Sequence, residues 1–225
     1  MAIPKAQLTM ALAEEIFQNI IDPSRIDRST AEAWRNTHWR TNRLKLLASW
    51  ETMQSIDIFW DPPRDGPIDL GMMLSYYVDP MNREKLRVDE LGILSVWVYD
   101  VQLEGENAAR FEVPLRKFRK IVDLVQPEFA LVDDYSRNVK KRTGEDLRRF
   151  AWGATIYGPE MARAVGREKI SGVPAPRVDT LDWGGVWIQA AQNPFLADFR
   201  AKRAIEKHLS LKDIHLPAVA PRKLG

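Results

Sequence analysis

Asp133 and Asp134 stand side by side at the end of the apolar run 129–132. Two carboxylates at a strand end could hold a hard cation or do acid/base work. Such a pair needs companions. A restriction-type nuclease would want an acidic residue, one spacer and a lysine on the next strand, and no Glu-x-Lys or Asp-x-Lys follows Asp134. Strand-end aspartates also serve as turn residues, because their carboxylates bond nearby backbone N–H groups. The three histidines, His38, His208 and His215, form no His-x-x-x-His pair, and with zero Cys there are no thiolate ligands, no Cys nucleophile and no disulfides. The chain lacks Gly-x-x-x-x-Gly-Lys-Ser/Thr, Gly-x-Gly-x-x-Gly and Gly-x-Ser-x-Gly, so the local signatures of phosphate cradle, dinucleotide site and esterase elbow are missing. The expectation is a protein with no catalytic residues, no metal and no cofactor.

Binding chemistry is better represented. Arg137, Lys140, Lys141, Arg142, Arg148 and Arg149 make segment 137–149 basic. Such a cluster could neutralise phosphates, which gives the alternative reading of a nucleic-acid-associated or phage-encoded accessory protein. Glu145 and Asp146 sit inside the cluster and no aromatic residue is interleaved to stack bases, so a solvated loop explains it as well. Residues 61–110 carry ten acidic and five basic side chains. Within them Asp61, Asp65 and Asp69 surround a Pro-rich turn beside Trp60, where proline limits the ordering cost of docking and tryptophan offers an apolar anchor. These four residues are the expected contact with a basic protein partner. Asp133, Asp134 and Tyr135 are the competing set.

These residues need elements to hold them. At three-to-four spacing, Leu12, Ile16, Phe17, Ile20 and Ile21 predict a helix capped by Thr9 and ended by Pro23, and Ser29 with Glu32 fits the capping box of a second. The period then changes to two over 55–60, 70–78 and 94–99, with short polar connections that favour an antiparallel meander. Pro114 opens an amphipathic helix with Leu115, Phe118, Ile121, Val122 and Val125 on one side, and Pro127 stops it. Strands are expected at 129–132, 150–157 and 186–190, with a short helix over 159–164 capped by Gly166. The last helix is expected to start at Asn193 and Pro194 and to bury Phe195, Leu196, Phe199, Ile205 and Leu209. Most of the eight tryptophans should be core.

The chain is therefore expected to be α+β, a mostly antiparallel sheet of five or six strands with helices packed on it. The organisation expected is a helical segment over 1–52, an α+β domain over 53–215 and a tail over 216–225. At 225 residues, 45% hydrophobic and 28% charged, it has an ordinary globular composition. A net charge of +2 advertises no global affinity for nucleic acid. No apolar run approaches the roughly 20 residues that span a bilayer, and Glu14 and Glu15 cut short the apolar stretch after Lys5, so a cytoplasmic location is expected.

One resemblance goes further. The succession Gly158-Pro159-Glu160, Gly166-Arg167-Glu168, Pro174-Ala175-Pro176-Arg177-Val178, Gly184-Gly185-Val186-Trp187-Ile188-Gln189 and Asn193-Pro194-Phe195 resembles the carboxyl-terminal half of bacterial immunity proteins of polymorphic and type VI secreted toxins, in particular the immunity protein fifty-two type. It covers roughly half the chain. It implies a cytoplasmic, non-enzymatic protein that binds and neutralises a cognate toxin, often a restriction-endonuclease-like nuclease, by stoichiometric inhibition. The matching glycines and prolines are turn and cap residues, so the resemblance assigns no contact residue. The chain departs from that family in its helical first fifty residues, which implies an added helical subdomain, and in a net charge that is not acidic.

Overall fold

The computed structural model describes residues 2–4, 10–16, 56–60, 71–77, 91–99, 112–133 and 146–217. The chain divides into two compact units. One contains β2 (Ile56–Trp60), β3 (Gly71–Tyr77) and β4 (Leu91–Tyr99), which form the antiparallel meander that the alternating pattern predicts. Ile56 pairs with Tyr76, and Met73 with Trp97. Helix α1 (Met10–Ile16) belongs to this unit, and the remainder of the predicted first helix and the whole of the second lie outside the described residues.

Helix α2 (Glu112–Val125) begins two residues before Pro114. The ring is tolerated there because the first four N–H groups of a helix have no partner within it. Leu115, Phe118, Ile121, Val122 and Val125 are all buried, as their spacing predicts. Gln126 ends the helix in a left-handed conformation (φ 48°) and donates its N–H to the Val122 carbonyl at 2.8 Å, ahead of Pro127.

The second unit runs from Val122 onward and includes Ala2 and Ile3 of β1 (Ala2–Pro4). Its sheet is antiparallel in the order β5 (Phe129–Val132), β6 (Ala154–Tyr157), β8 (Val186–Gln189), β7 (Arg177–Thr180). Four strands carry this ladder, which makes the unit α+β as expected, and β1 adds the single pair Ala2–Phe129 at the β5 end. Two predicted strands are shorter in fact. Residues 150–153 stay outside β6 because the Trp152 N–H turns to Thr155 Oγ1 at 3.0 Å, leaving the ladder.

Helices α3 (Pro159–Val165) and α4 (Arg167–Ser171) follow β6, joined at Gly166, whose φ of 96° suits a residue without Cβ. Helix α5 (Phe199–Leu209) closes the unit. Its core gathers Phe129, Phe150, Trp152, Tyr157, Met161, Val165, Ile188, Ile205 and Leu209. Trp152 and Trp187 are buried, whereas Trp183 is partly exposed. Large apolar side chains of this kind each contribute about 1.5–3 kcal/mol on full burial.

Strand β7 and helix α4 were not legible from periodicity. The edge strand reads Arg-Val-Asp-Thr and is half exposed on both faces, so it carries no apolar alternation. Helix α4 is shorter than two turns.

Candidate partner-binding surface

The catalytic-looking aspartate is an internal structural group. Asp133 follows β5, and its side chain is fully buried. Its Oδ2 lies 2.6 Å from Lys202 Nζ on α5 and accepts the Gly153 N–H at 2.8 Å. Lys202 is itself 7% exposed, so the pair is desolvated on both sides. Gly153 has to be glycine here. A Cβ at that position would sit 1.8 Å from the Pro194 carbonyl oxygen and 2.9 Å from that of Val132. The carboxylate thus ties β5, the approach to β6 and α5 together, and Asp133 drops out of the surface set expected to meet a partner. Of the other expected contacts, Trp60 ends β2 opposite Met72. Asp61, Asp65, Asp69, Asp134 and Tyr135 lie outside the described residues.

The described end of the basic segment is likewise committed to structure. Asp146 caps a 3-10 turn over Leu147–Arg149 by accepting the Arg148 N–H at 3.1 Å, and Arg148 returns a two-pronged contact, Nε to Oδ1 at 2.9 Å and Nη2 to Oδ2 at 2.8 Å. Burial would raise the Asp146 carboxyl, but the hydrogen bonds and charge of Arg148 outweigh it and hold the group below its usual value. Arg148 Nη1 also donates to the Pro217 carbonyl at 2.9 Å, while Arg149 Nη1 reaches the carbonyls of Leu211, Lys212 and Ile214. Both guanidiniums bond backbone carbonyls of the segment after α5. Arg137, Lys140, Lys141 and Arg142 lie outside the described residues.

The surface that does offer contact chemistry lies at the start of α5, where a different element was expected. One continuous helix from Pro194 would have buried Leu196 and Phe199. Instead Asn193 caps a 3-10 turn over Pro194–Leu196, its side-chain oxygen accepting the Phe195 N–H at 3.0 Å. Ala197 then turns extended (ψ 121°), and Asp198 caps α5 afresh by accepting the Ala201 N–H at 2.7 Å. The break is tolerated because each short segment has its own side-chain cap: Asp198 gives the Ala201 N–H the acceptor that the Ala197 carbonyl would provide in one long helix. Leu196 is left 48% exposed and Phe199 60% exposed. They are the large apolar side chains exposed among the described residues.

Charge surrounds them. The Arg203 guanidinium lies over the Phe199 ring, 4.7 Å from its centroid, and Arg200 and Lys207 are also exposed on α5. An aromatic ring held flat under an arginine costs little further ordering when it docks, and aromatic residues with arginine dominate binding hot spots. The platform beneath is rigid, because Lys202, Ile205 and Leu209 on the same helix are buried. No reading of the sequence singled out this shoulder. Its signal was present in the short succession Asn193-Pro194 and Asp198, two caps five residues apart.

Among the described residues no group of three or more His, Asp or Glu could hold a metal ion, and no helix is long and apolar enough to cross a membrane. No protein-family model matches this chain, and no curated protein or solved structure does either.

Proposed function

We propose that this chain is a binding protein of the toxin-immunity kind, which neutralises a secreted bacterial toxin by holding it one-to-one, and that Leu196, Phe199 and Arg203 are where the toxin docks. The observation that carries the binding half is Phe199, well over half exposed beneath Arg203 at the head of a helix whose other face is locked in the core. The toxin half is supported by the residues from Gly158 to Phe195 that resemble immunity proteins. The exposed cations Arg200, Arg203 and Lys207 suit a partner surface bearing carboxylates. A nuclease cleft is basic, so such a toxin would be held on this shoulder by a surface outside its cleft. The acidic residues Asp61, Asp65 and Asp69 would serve a second, basic contact.

Co-expression with the protein encoded beside this chain tests the proposal. The expected result is that the neighbour arrests growth alone, that this chain restores growth, and that a one-to-one complex is recovered. Phe199→Asp should weaken that complex by about thirty-fold or more, the loss typical of a hot-spot residue. A neighbour without toxicity, or rescue with no complex, overturns the reading.

A further inference from the structure

Among the described residues strand β7 ends the ladder of its unit, so one side of its backbone faces no described strand. Which groups it offers there follows from the phase of the hydrogen bonds. The Leu181 N–H donates to the Gly185 carbonyl at 2.9 Å, closing a hairpin whose loop over 182–184 uses Gly184 at φ 87°. In an antiparallel pair the bonded positions alternate. With Thr180 opposite Val186 and Val178 opposite Ile188, the pairs Asp179–Trp187 and Arg177–Gln189 are the bonded ones. The next interface agrees: the Ala190 N–H donates to Gly153 on the β6 side, which assigns Val186 and Ile188 to β6 and leaves Trp187 and Gln189 for β7. Val178 and Thr180 therefore direct their N–H and C=O groups outward.

We infer that this edge pairs with the same edge of a second copy, antiparallel about a two-fold axis through Val178. Only pairings that set outward residues opposite outward residues make bonds. Of these, placing Arg177 opposite Arg177 or Asp179 opposite Asp179 sets like charges against each other, whereas centring on Val178 sets Arg177 opposite Asp179 twice. Within one chain Arg177 Nε already donates to Asp179 Oδ2 at 2.8 Å, with the two side chains 47% and 27% exposed, so the pairing joins two ion pairs into one alternating cluster of four charges. Pro176, having no N–H, cuts the ladder off on both sides. The interface is short, reversible, and closed, because each copy spends its edge on the other.

Sedimentation and a charge-swap mixture test this. The wild-type chain should shift from monomer to dimer between about 10 μM and 1 mM, a range fitting a small transient interface. Arg177→Asp and Asp179→Arg should each weaken the dimer about tenfold or more, because two attractive pairs become two repulsive ones. Mixing the two variants should restore dimer as a heterodimer, since one copy then offers two carboxylates and the other two guanidiniums. Loss of the pair within each chain cannot produce that recovery. Monomer throughout the range, a dimer indifferent to both variants, or a mixture that stays monomeric each overturns the inference.

Discussion

Helix α5 has two regions with opposite duties. Its buried side presents Lys202, Ile205 and Leu209, all under 8% exposed, to the core and to Asp133. Its other side presents Phe199 and, one turn on, Arg203 to solvent. Both regions contain a cation near an interaction partner, yet the energetic consequences differ. Lys202 meets a carboxylate from which water is excluded, whereas Arg203 covers a ring that water still reaches. Removing a partner from the first leaves a naked buried charge, and removing one from the second leaves a solvated one. The difference separates residues that hold the fold from residues free to serve a partner, within eleven residues of one helix.

The largest test of that separation is Asp133→Ala. It strands Lys202 and orphans the Gly153 N–H, so stability should fall by about 3 to 5 kcal/mol in urea unfolding. Replacing both partners, Asp133→Leu with Lys202→Met, should recover most of that loss, because no unpaired charge remains. If the double variant is as unstable as the single one, shape and not charge is what Asp133 supplies. Close behind comes Ile205→Ala. Ile205 is 1% exposed and lies in the core cluster, so the cavity should cost about 2 to 5 kcal/mol.

These two positions also mark what the sequence did and did not disclose. Ile205 and Leu209 were legible as core because their spacing on a well-capped helix permits little else. Lys202 was not, since a lysine three residues before Ile205 reads as a solvated position until its carboxylate, 69 residues earlier in the chain, is known. Asp133 was read as surface for the same reason. Leu196 and Phe199 were read as core because apolar spacing from Pro194 continues through them, and periodicity has no way to weigh Asp198 as a second cap. The antiparallel meander and α2 followed from spacing alone. The four-residue edge strand β7 did not, because half-exposed edges need not alternate.

Tyr157 gives a smaller and oppositely signed effect. Its hydroxyl is buried with no hydrogen-bond partner among the described residues, and burial, with the nearby Glu206 charge, pushes its ionisation well above the usual 10.0. Removing an unpaired buried hydroxyl while keeping the ring should leave stability unchanged or raise it by up to about 1 kcal/mol. The pH dependence has a definite direction. Above pH 10 the unfolded chain releases the tyrosine proton while the folded chain retains it, so the native state binds more protons and stability falls as pH rises. Below pH 10 both states keep the proton and the group adds no slope. Tyr157→Phe should flatten the alkaline limb of a stability curve, and an unaltered limb would mean that other groups produce it.

The smallest effect on stability belongs to the exposed first turn, and there the comparison is sharpest. Phe199 is 60% exposed, so truncation to Ala forfeits little buried area, and its contact with Arg203 is worth about 0.5 to 1 kcal/mol at an exposed site. Alanine is also the better helix former, which offsets part of that loss. Phe199→Ala should therefore unfold within about 0.5 kcal/mol of the wild type. Its effect should appear only with a partner present, as faster dissociation, because a side chain central to an interface acts on the lifetime of the complex. Arg200→Ala should act on the other limb, slowing association and losing its influence as salt rises. If Phe199→Ala destabilises the free protein by 2 kcal/mol or more, the first turn of α5 belongs to the core after all, and the division between holding and binding along this helix fails.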